Sequence, residues 1–457
     1  MTLIFYDTET TGLNAAFDQI VQFAAIVTDD KFNILEELNL RCRLKPHVIA
    51  SPGAMRVTKV GPRLIQSAPH SCYEMAGHVR AFIERWSPAI LIGYNSISFD
   101  ESMLRQAFFQ ALHPTYLTNT NGNSRMDVLR FAHAVFEHES TAISVPLNDK
   151  GKPSFKLGAL VEANGLALGN AHDALADTRA TLALAKLLRD RTPQIWDDLL
   201  ACRTRHTVEE LLRQHPLFLV TDRAFKKPTI FAGAIVSHPK NPASVAVFDL
   251  EYDPDVYLDA DQDALQRILK ASPRPIRVVR TNALPLITPL RNQSLSGIDP
   301  TIAQERLDRI REHPFFAQSV ATAMEALDSE FEASEHVEQS IYGGFPTRGD
   351  QKVMDAFHKV SWPERYALLE RFVDARYKEL GERIIYAEAP EALPEARRAA
   401  LRTWHRDRHM GIGEYPWLTL SKAREELAAL GDDTDQALIS EMNDYLDEIE
   451  RAGSSSC

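Results

Sequence analysis

Two acidic residues near the N-terminus have the spacing of a metal-binding pair. A short apolar run at 3–6 leads into Asp7-Thr-Glu9-Thr-Thr-Gly12. Because residues i and i+2 of a strand point to the same face, Asp7 and Glu9 would place two carboxylates side by side at a strand end. Such a pair repels unless a cation lies between its members, and Gly12 would let the backbone turn close to a ligand. Alone, the motif also fits a polar turn at a strand end.

Two further motifs add acids and a base to this pair. Asp100 ends Gly93-Tyr-Asn-Ser-Ile-Ser-Phe-Asp100, just after a predicted buried strand, where an ordinary helix N-cap is the alternative. His172 and Asp177 form an H-x-x-x-x-D motif. Because five helical residues rotate by about 140°, we expect His172 in the loop before a helix and Asp177 within the helix. A capping or surface histidine and a solvated acid are the alternatives.

The elements that position these residues are predicted from the hydrophobic pattern. Strands are expected at 3–6, 20–28, 33–44 and 89–93. Short connections between the first three favour an antiparallel meander. Helices are expected at 73–86, 99–112, 126–138, 156–164 and 173–190. This order predicts an α/β domain that ends near residue 195.

The pattern changes after about residue 205. Short β-type runs with Pro and Gly between them favour a small barrel or sheet, and they lie at 217–220, 229–236, 243–250 and 276–280. Helical patterns are expected at 262–271 and 300–333, and almost all of 350–452 is helical in pattern. The length of 457 residues suggests two to four domains.

Composition excludes several classes of protein. Hydrophobic residues make up 44% and charged residues 25%, as in soluble globular proteins. No run of about 18 apolar residues predicts a membrane span, no signal peptide is recognisable, and we expect a cytoplasmic protein. The four cysteines are too scattered for a zinc site or a disulfide framework, so reduced thiols are expected at Cys42, Cys72, Cys202 and Cys457. The net charge of −12 argues weakly against non-specific binding to nucleic acid.

The three acidic motifs together are more specific than any one of them. In the order D-x-E, N-x-x-x-F-D and H-x-x-x-x-D over residues 3–190, they resemble the DEDDh exonucleases, whose fold is ribonuclease-H-like. The spacing of His172 and Asp177 matches the histidine subtype of that family. All five expected site residues are present, which argues against a non-catalytic single-strand-binding protein, the alternative from a different class.

The whole chain resembles the bacterial exonuclease I family, including the residues beyond 195. The segments that carry this resemblance are Asn148–Leu157, Asn170–Asp177, Val247–Leu250 and Tyr342–Phe345. It implies a ribonuclease-H-like exonuclease domain at 1–195, a central SH3-like β-barrel domain at 196–345 and an α-helical C-terminal domain at 346–457. In that family the three parts form a C-shaped clamp around the strand, which gives processivity.

The resemblance also implies a chemistry. Single-stranded DNA would be hydrolysed processively from its 3′ end to nucleoside 5′-monophosphates by two Mg²⁺ ions, with Mn²⁺ as a possible substitute. Asp7, Glu9 and Asp177 would hold the ion that generates the nucleophile, and Asp7 would bridge to the second ion. Asp100 would support that second ion. His172 would be the general base, and it must be neutral to act.

Several residues are candidate substrate contacts. Glu9 and the backbone around it would lie against the terminal nucleotide. Lys156 resembles a phosphate contact of the family, with a solvated lysine as the alternative, and Arg105 could reach the strand or be a surface residue. Tyr342 and Phe345 could stack bases or pack in a core. A phosphate track or a solvated face could be formed by Lys270, Arg274, Arg277 and Arg280.

Substrate, partners and setting remain partly open. A ribonuclease of the same superfamily is the nearest alternative, because the site chemistry does not separate RNA from DNA; the long extension favours DNA. The family resemblance implies a monomer that binds the acidic tail of single-strand DNA-binding protein and acts in DNA repair and recombination. An acidic chain can still bind a polyanion if its basic residues line a groove, in which case affinity should be salt-sensitive.

Overall fold

A computed structural model of the chain describes residues 1–166, 173–223, 228–272, 274–290, 297–328, 334–431 and 434–454. A mixed five-stranded sheet organises the N-terminal region. Its strands are β1 (Thr2–Thr10), β2 (Ile20–Thr28), β3 (Ile34–Arg41), β4 (Ala89–Gly93) and β5 (Ser124–Asp127). Their order is β3-β2-β1-β4-β5. The first three strands form the expected antiparallel meander, and β4 pairs in parallel with both β1 and β5.

Helices cover both faces of this sheet. They are α1 (Pro52–Thr58), α2 (Pro62–Gln66), α3 (Cys72–Trp86), α4 (Asp100–Gln110), α5 (Val128–His138), α6 (Leu157–Ala163), α7 (Ala174–Arg191), α8 (Pro193–Ala201) and α9 (Arg205–Gln214). Strand β1 shows why both faces need cover. Leu3 and Phe5 lie in a core with α5 and α7, whereas Ile4 and Tyr6 lie in a second core with α3 and α4. The alternation of a strand thus gives each side of the sheet its own apolar layer.

A second five-stranded sheet, antiparallel throughout, follows in the chain. Its strands are β6 (Phe218–Thr221), β7 (Thr229–Ser237), β8 (Ser244–Asp249), β9 (Ile276–Arg280) and β10 (Leu286–Pro289), in the order β10-β6-β7-β8-β9. The accompanying helices are α10 (Gln262–Lys270), α11 (Pro300–Glu312) and α12 (Phe316–Ala326). The predicted small sheet is therefore present, whereas an SH3-like barrel stays a prediction.

The C-terminal region is helical, as predicted. Its helices are α13 (Arg348–Phe357), α14 (Trp362–Leu369), α15 (Ala375–Glu388), α16 (Glu395–Met410), α17 (Leu420–Ala428) and α18 (Gln436–Ser454). Helices α17 and α18 pack against α1 and α2 through a shared apolar cluster. Another cluster joins residues of both sheets. Because these cores cross residues 195 and 345, the domain bounds stay predictions.

Two of the expected elements need correction. The helix expected at 126–138 begins at Val128, because Ser124–Asp127 pairs in parallel with β4 and so forms a strand. The helix expected at 300–333 is two helices within the described residues, since α11 ends at Glu312 and α12 begins at Phe316. Pro314 lies in the break, where it cannot continue a helical hydrogen-bond ladder. Strand β10 and the short helices α1, α2, α8 and α9 were not predicted, and most of them have too few residues to show a period.

Candidate active site

Strand alternation sets the direction of Asp7 and Glu9. They continue the row of Leu3 and Phe5 on β1, so they lie where the apolar core on the α7 side of the sheet ends. The pairing with β2 holds this register, with Asp7 opposite Ala24 and Glu9 opposite Gln22, until a bulge follows Glu9. The two carboxylates are therefore fixed by a central strand and not by a loop.

Helix α7 brings the third acid to the same place. Asp173 caps the helix by accepting hydrogen bonds from the backbone N–H groups of Leu175 and Ala176, and Asp177 lies in the first turn. Among the described residues, one carboxylate oxygen each from Asp7, Glu9 and Asp177 lie within 4.8 Å of one another. We call these three residues the acid cluster. The position of Asp177 in the first turn of α7 confirms the prediction that this residue is helical.

The acid cluster holds more negative charge than its surroundings compensate. Burial, with Asp100 and the other cluster acids, raises the pKa of Asp7 well above its ordinary value. Burial and the neighbouring acids Asp177 and Asp100 raise the pKa of Glu9 to about 8. A divalent cation among the oxygens would remove this repulsion, and carboxylate oxygens are the donors that hard cations prefer. The residues present therefore fit a divalent metal ion.

Asp100 reaches the cluster from the opposite face of β1. Thr8 points away from Asp7 and Glu9, towards α4, and its hydroxyl donates a hydrogen bond of 2.5 Å to Oδ1 of Asp100. Asp100 is the first residue of α4 and is 4% exposed. Burial raises the pKa of Asp100 to about 6, although the bond from Thr8 acts to lower it. The fourth predicted acid is thus buried beside the other three. The hydrogen bond that Thr8 donates to it was not predicted from the sequence.

Asp127 is a further residue that the sequence did not reveal. It ends β5 and caps α5, and its carboxylate accepts backbone N–H bonds from Asn95 at 2.9 Å, Ile97 at 3.1 Å and Leu129 at 3.0 Å. The segment from Asn95 to Ile97 leads directly to Asp100, so Asp127 fixes the loop that delivers this acid. The one available signal, an acid before a helix, was hidden because 126–138 was interpreted as helix throughout.

The expected general base, His172, lies outside the described residues, so its role stays a prediction. The next residue, Asp173, is described. Its Oδ2 accepts a hydrogen bond from Gln22 at 3.0 Å and forms an ion pair with Arg41 at 2.8 Å. Burial acts to raise the pKa of Asp173, but these contacts and the backbone bonds leave it below its ordinary value. Asp173 therefore stays ionised and holds the start of α7 against β2 and β3.

The predicted substrate contacts fall into two groups. Lys156 is exposed at the start of α6, and the hydroxyl of Tyr94 donates to the carbonyl of Phe155 beside it, so this segment is tied to the end of β4. Arg105 is instead occupied inside the protein. It forms an ion pair of 2.8 Å with buried Glu101 and lies 5.1 Å from the ring centre of Tyr116. A direct DNA contact from either residue stays a prediction.

Tyr342 and Phe345 lie on the surface. Their exposed fractions are 56% and 80%, which contradicts the core-packing alternative. The ring of Phe345 lies 5.6 Å from that of Tyr116, which itself carries Arg105 on its face. The basic residues of the second sheet differ in exposure. Arg277 is buried opposite Asp249, whereas Arg280 is exposed.

Two openings flank the loop that leads to Asp100. One, the site cavity, has a volume of about 810 Å³ and is lined by residues that include Glu9, Leu13, Phe99 and Trp417. The other, the inter-sheet groove, has a volume of about 470 Å³ and lies between the two sheets. Its lining includes Asn95, Arg130, His133, Arg223 and Arg280. The inter-sheet groove thus carries three arginines on one side of the loop that leads to Asp100.

Comparison with known proteins matches this architecture. A family model described as "Exonuclease" matches residues 4–185, and one described as "Exonuclease I C-terminal domain" matches residues 335–449. Exodeoxyribonuclease I of Escherichia coli K12 is 30% identical over 399 residues, which cover 83% of this chain and 84% of that protein. Exodeoxyribonuclease I of Haemophilus influenzae is 28% identical over 375 residues, covering 77% and 79%.

Solved structures agree over nearly the whole length. Exonuclease I of E. coli in complex with a dA16 oligonucleotide superposes with a TM-score of 0.88 at 28% identity, covering 98% of this chain and 99% of that one. Exonuclease I of Methylocaldum szegediense gives 0.87 at 27% identity with the same coverage. The likeness therefore extends over all three regions.

Proposed function

This chain belongs to the exodeoxyribonuclease I family, and from that premise we propose that it hydrolyses single-stranded DNA from the 3′ end. The products would be nucleoside 5′-monophosphates, and the enzyme would degrade each strand processively. The observation that carries the proposal is the convergence of the acid cluster and Asp100 at one end of β1, where burial and the neighbouring acids raise the pKa values of Asp7 and Glu9.

Each acid would have a separate task. Asp7, Glu9 and Asp177 would hold one divalent ion, and Asp7 and Asp100 would hold the second. Two Mg²⁺ ions, with Mn²⁺ as a substitute, would when bound activate water and neutralise the charge that develops on the phosphate. Thr8 orients the carboxylate of Asp100 by its hydrogen bond. His172 would accept the proton of the attacking water.

The inter-sheet groove is the proposed approach for the DNA strand. Arg280 is exposed there, and Arg223 lies 4.8 Å from the ring centre of Phe155, beside Lys156. Basic side chains of this kind bind the phosphate backbone without reading sequence. The exposed rings of Tyr342 and Phe345 offer surfaces on which bases would stack, worth roughly 1–3 kcal/mol each. The oligonucleotide complex of the E. coli relative supports DNA as substrate.

The family also suggests how the enzyme would be used. We propose a cytoplasmic monomer that binds the C-terminal tail of single-strand DNA-binding protein and acts in DNA repair. Among the described helices, none is both long and apolar enough to cross a bilayer. Light scattering tests the monomer, and a fluorescent tail peptide, with a charge-reversed peptide as control, tests the partner.

A single degradation experiment tests the reaction itself. A 5′-labelled single-stranded DNA, the RNA of the same sequence and a blunt duplex are each incubated with Mg²⁺ or with EDTA. We expect Mg²⁺-dependent shortening of the single-stranded DNA from its 3′ end, while RNA and duplex persist. Asp177→Asn should abolish shortening, and the exposed control Asp197→Asn should not. Faster loss of RNA would establish a ribonuclease instead. Release of the label as a mononucleotide before shortened strands appear would show that degradation starts from the 5′ end.

A further inference from the structure

Two buried thiols outside the active site lie in one apolar cluster. Cys42 follows β3, where its segment forms an isolated parallel bridge with His70, and Cys72 is the first residue of α3. Both are free thiols with exposed fractions of 0% and 8%, and both belong to the apolar cluster that packs α3 against the sheet. The Cys42 thiol donates to the carbonyl of Ile20 at 3.1 Å. Because the bridge partner His70 lies two residues before Cys72, two elements that are distant in sequence bring the two cysteines together.

The surroundings of Cys72 favour its thiolate. The neighbouring Cys42 side chain lowers the pKa of Cys72 to about 7, and nearby Lys45 acts in the same direction, against burial and Glu388. Cys72 is also the first residue of a 15-residue helix, where the backbone N–H groups favour negative charge. A thiolate, not a thiol, is the nucleophile in reactions with peroxides and disulfides.

A cavity gives small molecules access to this thiol. It has a volume of about 200 Å³ and lies between the first region and α15, and Cys72 is one of its lining residues. Arg43 and Lys45 also line it, together with Glu388. A single water needs only about 10–15 Å³ measured in this way, so the cavity accommodates hydrogen peroxide or a small alkyl hydroperoxide.

Cys202 provides an internal comparison. It is also free and fully buried, but it lies in the other apolar cluster, where its thiol donates to the carbonyl of Ile287 at 3.3 Å. Burial raises the pKa of Cys202 to about 11. Burial alone therefore leaves a cysteine of this protein unreactive, and Cys72 differs by its helix position, its sulfur neighbour and its cavity.

We propose that Cys42 and Cys72 form a dithiol that a hydroperoxide oxidises reversibly to a disulfide. The Cys72 thiolate attacks one peroxide oxygen and breaks the O–O bond, which leaves a sulfenic acid and, after protonation, one water from hydrogen peroxide or one alcohol from an alkyl hydroperoxide. The Cys42 thiol then attacks the Cys72 sulfur, forms the S–S bond and releases the sulfenic oxygen as water. Two thiols are oxidised by two electrons in total, and one peroxide is reduced. A dithiol reductant reverses the reaction.

Mass spectrometry of the full-length protein tests this assignment. The reduced protein is treated with one equivalent of hydrogen peroxide, alkylated and digested with trypsin, which separates the two cysteines because Arg43, Lys59 and Arg63 lie between them. We expect a Cys42–Cys72 cross-linked peptide that disappears with dithiothreitol. Before oxidation, Cys72 should alkylate at least about tenfold faster than Cys202.

Variants separate the two steps. Cys42→Ser should leave a sulfenic acid on Cys72 that a dimedone probe captures, and Cys202→Ser, the matched control, should leave the cross-link unchanged. The wild-type result decides the matter even if a variant fails to fold. Equal alkylation of Cys72 and Cys202, or peroxide treatment that leaves both thiols of the pair free, would overturn the proposal.

Discussion

The acid cluster and the ion pairs around Glu338 show two ways in which one protein handles buried negative charge. Glu338 is 1% exposed, and its Oε1 lies 2.8 Å from Arg383 and 2.7 Å from Arg408. Burial acts to raise the pKa of Glu338, but the two arginines hold it below its ordinary value. In the acid cluster the same burial acts beside further acids, and the pKa values of Asp7 and Glu9 rise although Arg41 acts to lower that of Glu9.

The aromatic surroundings extend this contrast. Arg408 lies against the rings of Phe17, Trp404 and Trp417 at 4.4–5.1 Å from their centres. Phe17 belongs to the loop that follows β1, and Trp417 lines the site cavity. The compensated charges therefore join the helical region to the loop beside the acids. Where the fold uses a buried charge for its own stability, it supplies a counter-charge. Where burial and neighbouring acids raise the pKa of a carboxyl group instead, a cationic ligand is expected.

Removing a cluster acid should have the largest effect on activity. Asp7→Asn should lower the nuclease rate by on the order of 10³-fold or more, because metal-ion catalysis contributes several kcal/mol. In EDTA the same variant should be at least as thermostable as the wild type, since it loses a repulsive charge. Turnover numbers and melting curves measure both, with Asp197→Asn as the surface control. If Asp7→Asn loses stability along with activity, the expected difference between the acid cluster and the ion pairs of Glu338 is wrong.

Removing the compensated acid should have the opposite signature. Glu338→Gln should lower the free energy of unfolding by about 3–5 kcal/mol, because two buried guanidinium groups lose their carboxylate. Glu379→Gln is the matched control: Glu379 also pairs with Arg383, at 2.5 Å, but is 51% exposed on its side chain. Its loss should cost about 0–1 kcal/mol. Urea midpoints for the two variants decide the comparison, and equal midpoints would contradict it.

The support of Asp100 should show in the metal requirement. Thr8→Val removes the 2.5 Å hydrogen bond to a buried carboxylate. Hydrogen bonds to charged groups contribute about 1.5–3 kcal/mol, so half-maximal activity should need about tenfold more Mg²⁺. Thr8→Ser keeps the hydroxyl and should restore the wild-type requirement. If Val and Ser need the same Mg²⁺ concentration, the hydroxyl of Thr8 does not set the metal requirement.

The pH dependence of stability gives the smallest effect. In EDTA, the folded protein keeps a proton on Glu9 up to about pH 8, whereas the unfolded chain has lost it above its ordinary pKa. The folded state therefore binds more protons, and the free energy of unfolding falls as pH rises towards 8. The pKa of Cys72, lowered to about 7, acts in the opposite direction over this range, so the test uses a Cys72→Ser background. In that background we expect the melting temperature of the metal-free protein to fall by about 2–4 °C between pH 7 and 8.5.

Two controls isolate that effect. Saturating Mg²⁺ should reduce the fall, because it stabilises the ionised acids, and Glu9→Gln should flatten it. Burial lowers the pKa of His405 to about 3 and of His409 to about 4. Because of these histidines, the folded protein loses stability as pH falls below their ordinary pKa near 6.5, which is outside the chosen pH window. A fall that persists in Glu9→Gln would assign it to another group.

Local pattern predicted much of this fold. Residues 20–28 and 89–93 are strands with the predicted bounds, because long apolar runs between turns are strong signals. The four-residue strand β5 was instead merged with the helix after it, since a short run carries no period and its pairing partner β4 lies about 30 residues earlier in the sequence. Asp127 was lost with it.

The sequence by itself determined which acids were candidates and on which faces of their elements they lie. The i, i+2 spacing placed Asp7 with Glu9, and the five-residue spacing put Asp177 in a helix, because these follow from backbone periods alone. Only the tertiary structure decided that the three acids meet within 4.8 Å, that Thr8 holds Asp100, that Arg105 is committed to Glu101 and that Cys42 and Cys72 share one apolar cluster. Those contacts depend on strand order and helix packing, which join residues far apart in the chain and leave no local trace in it.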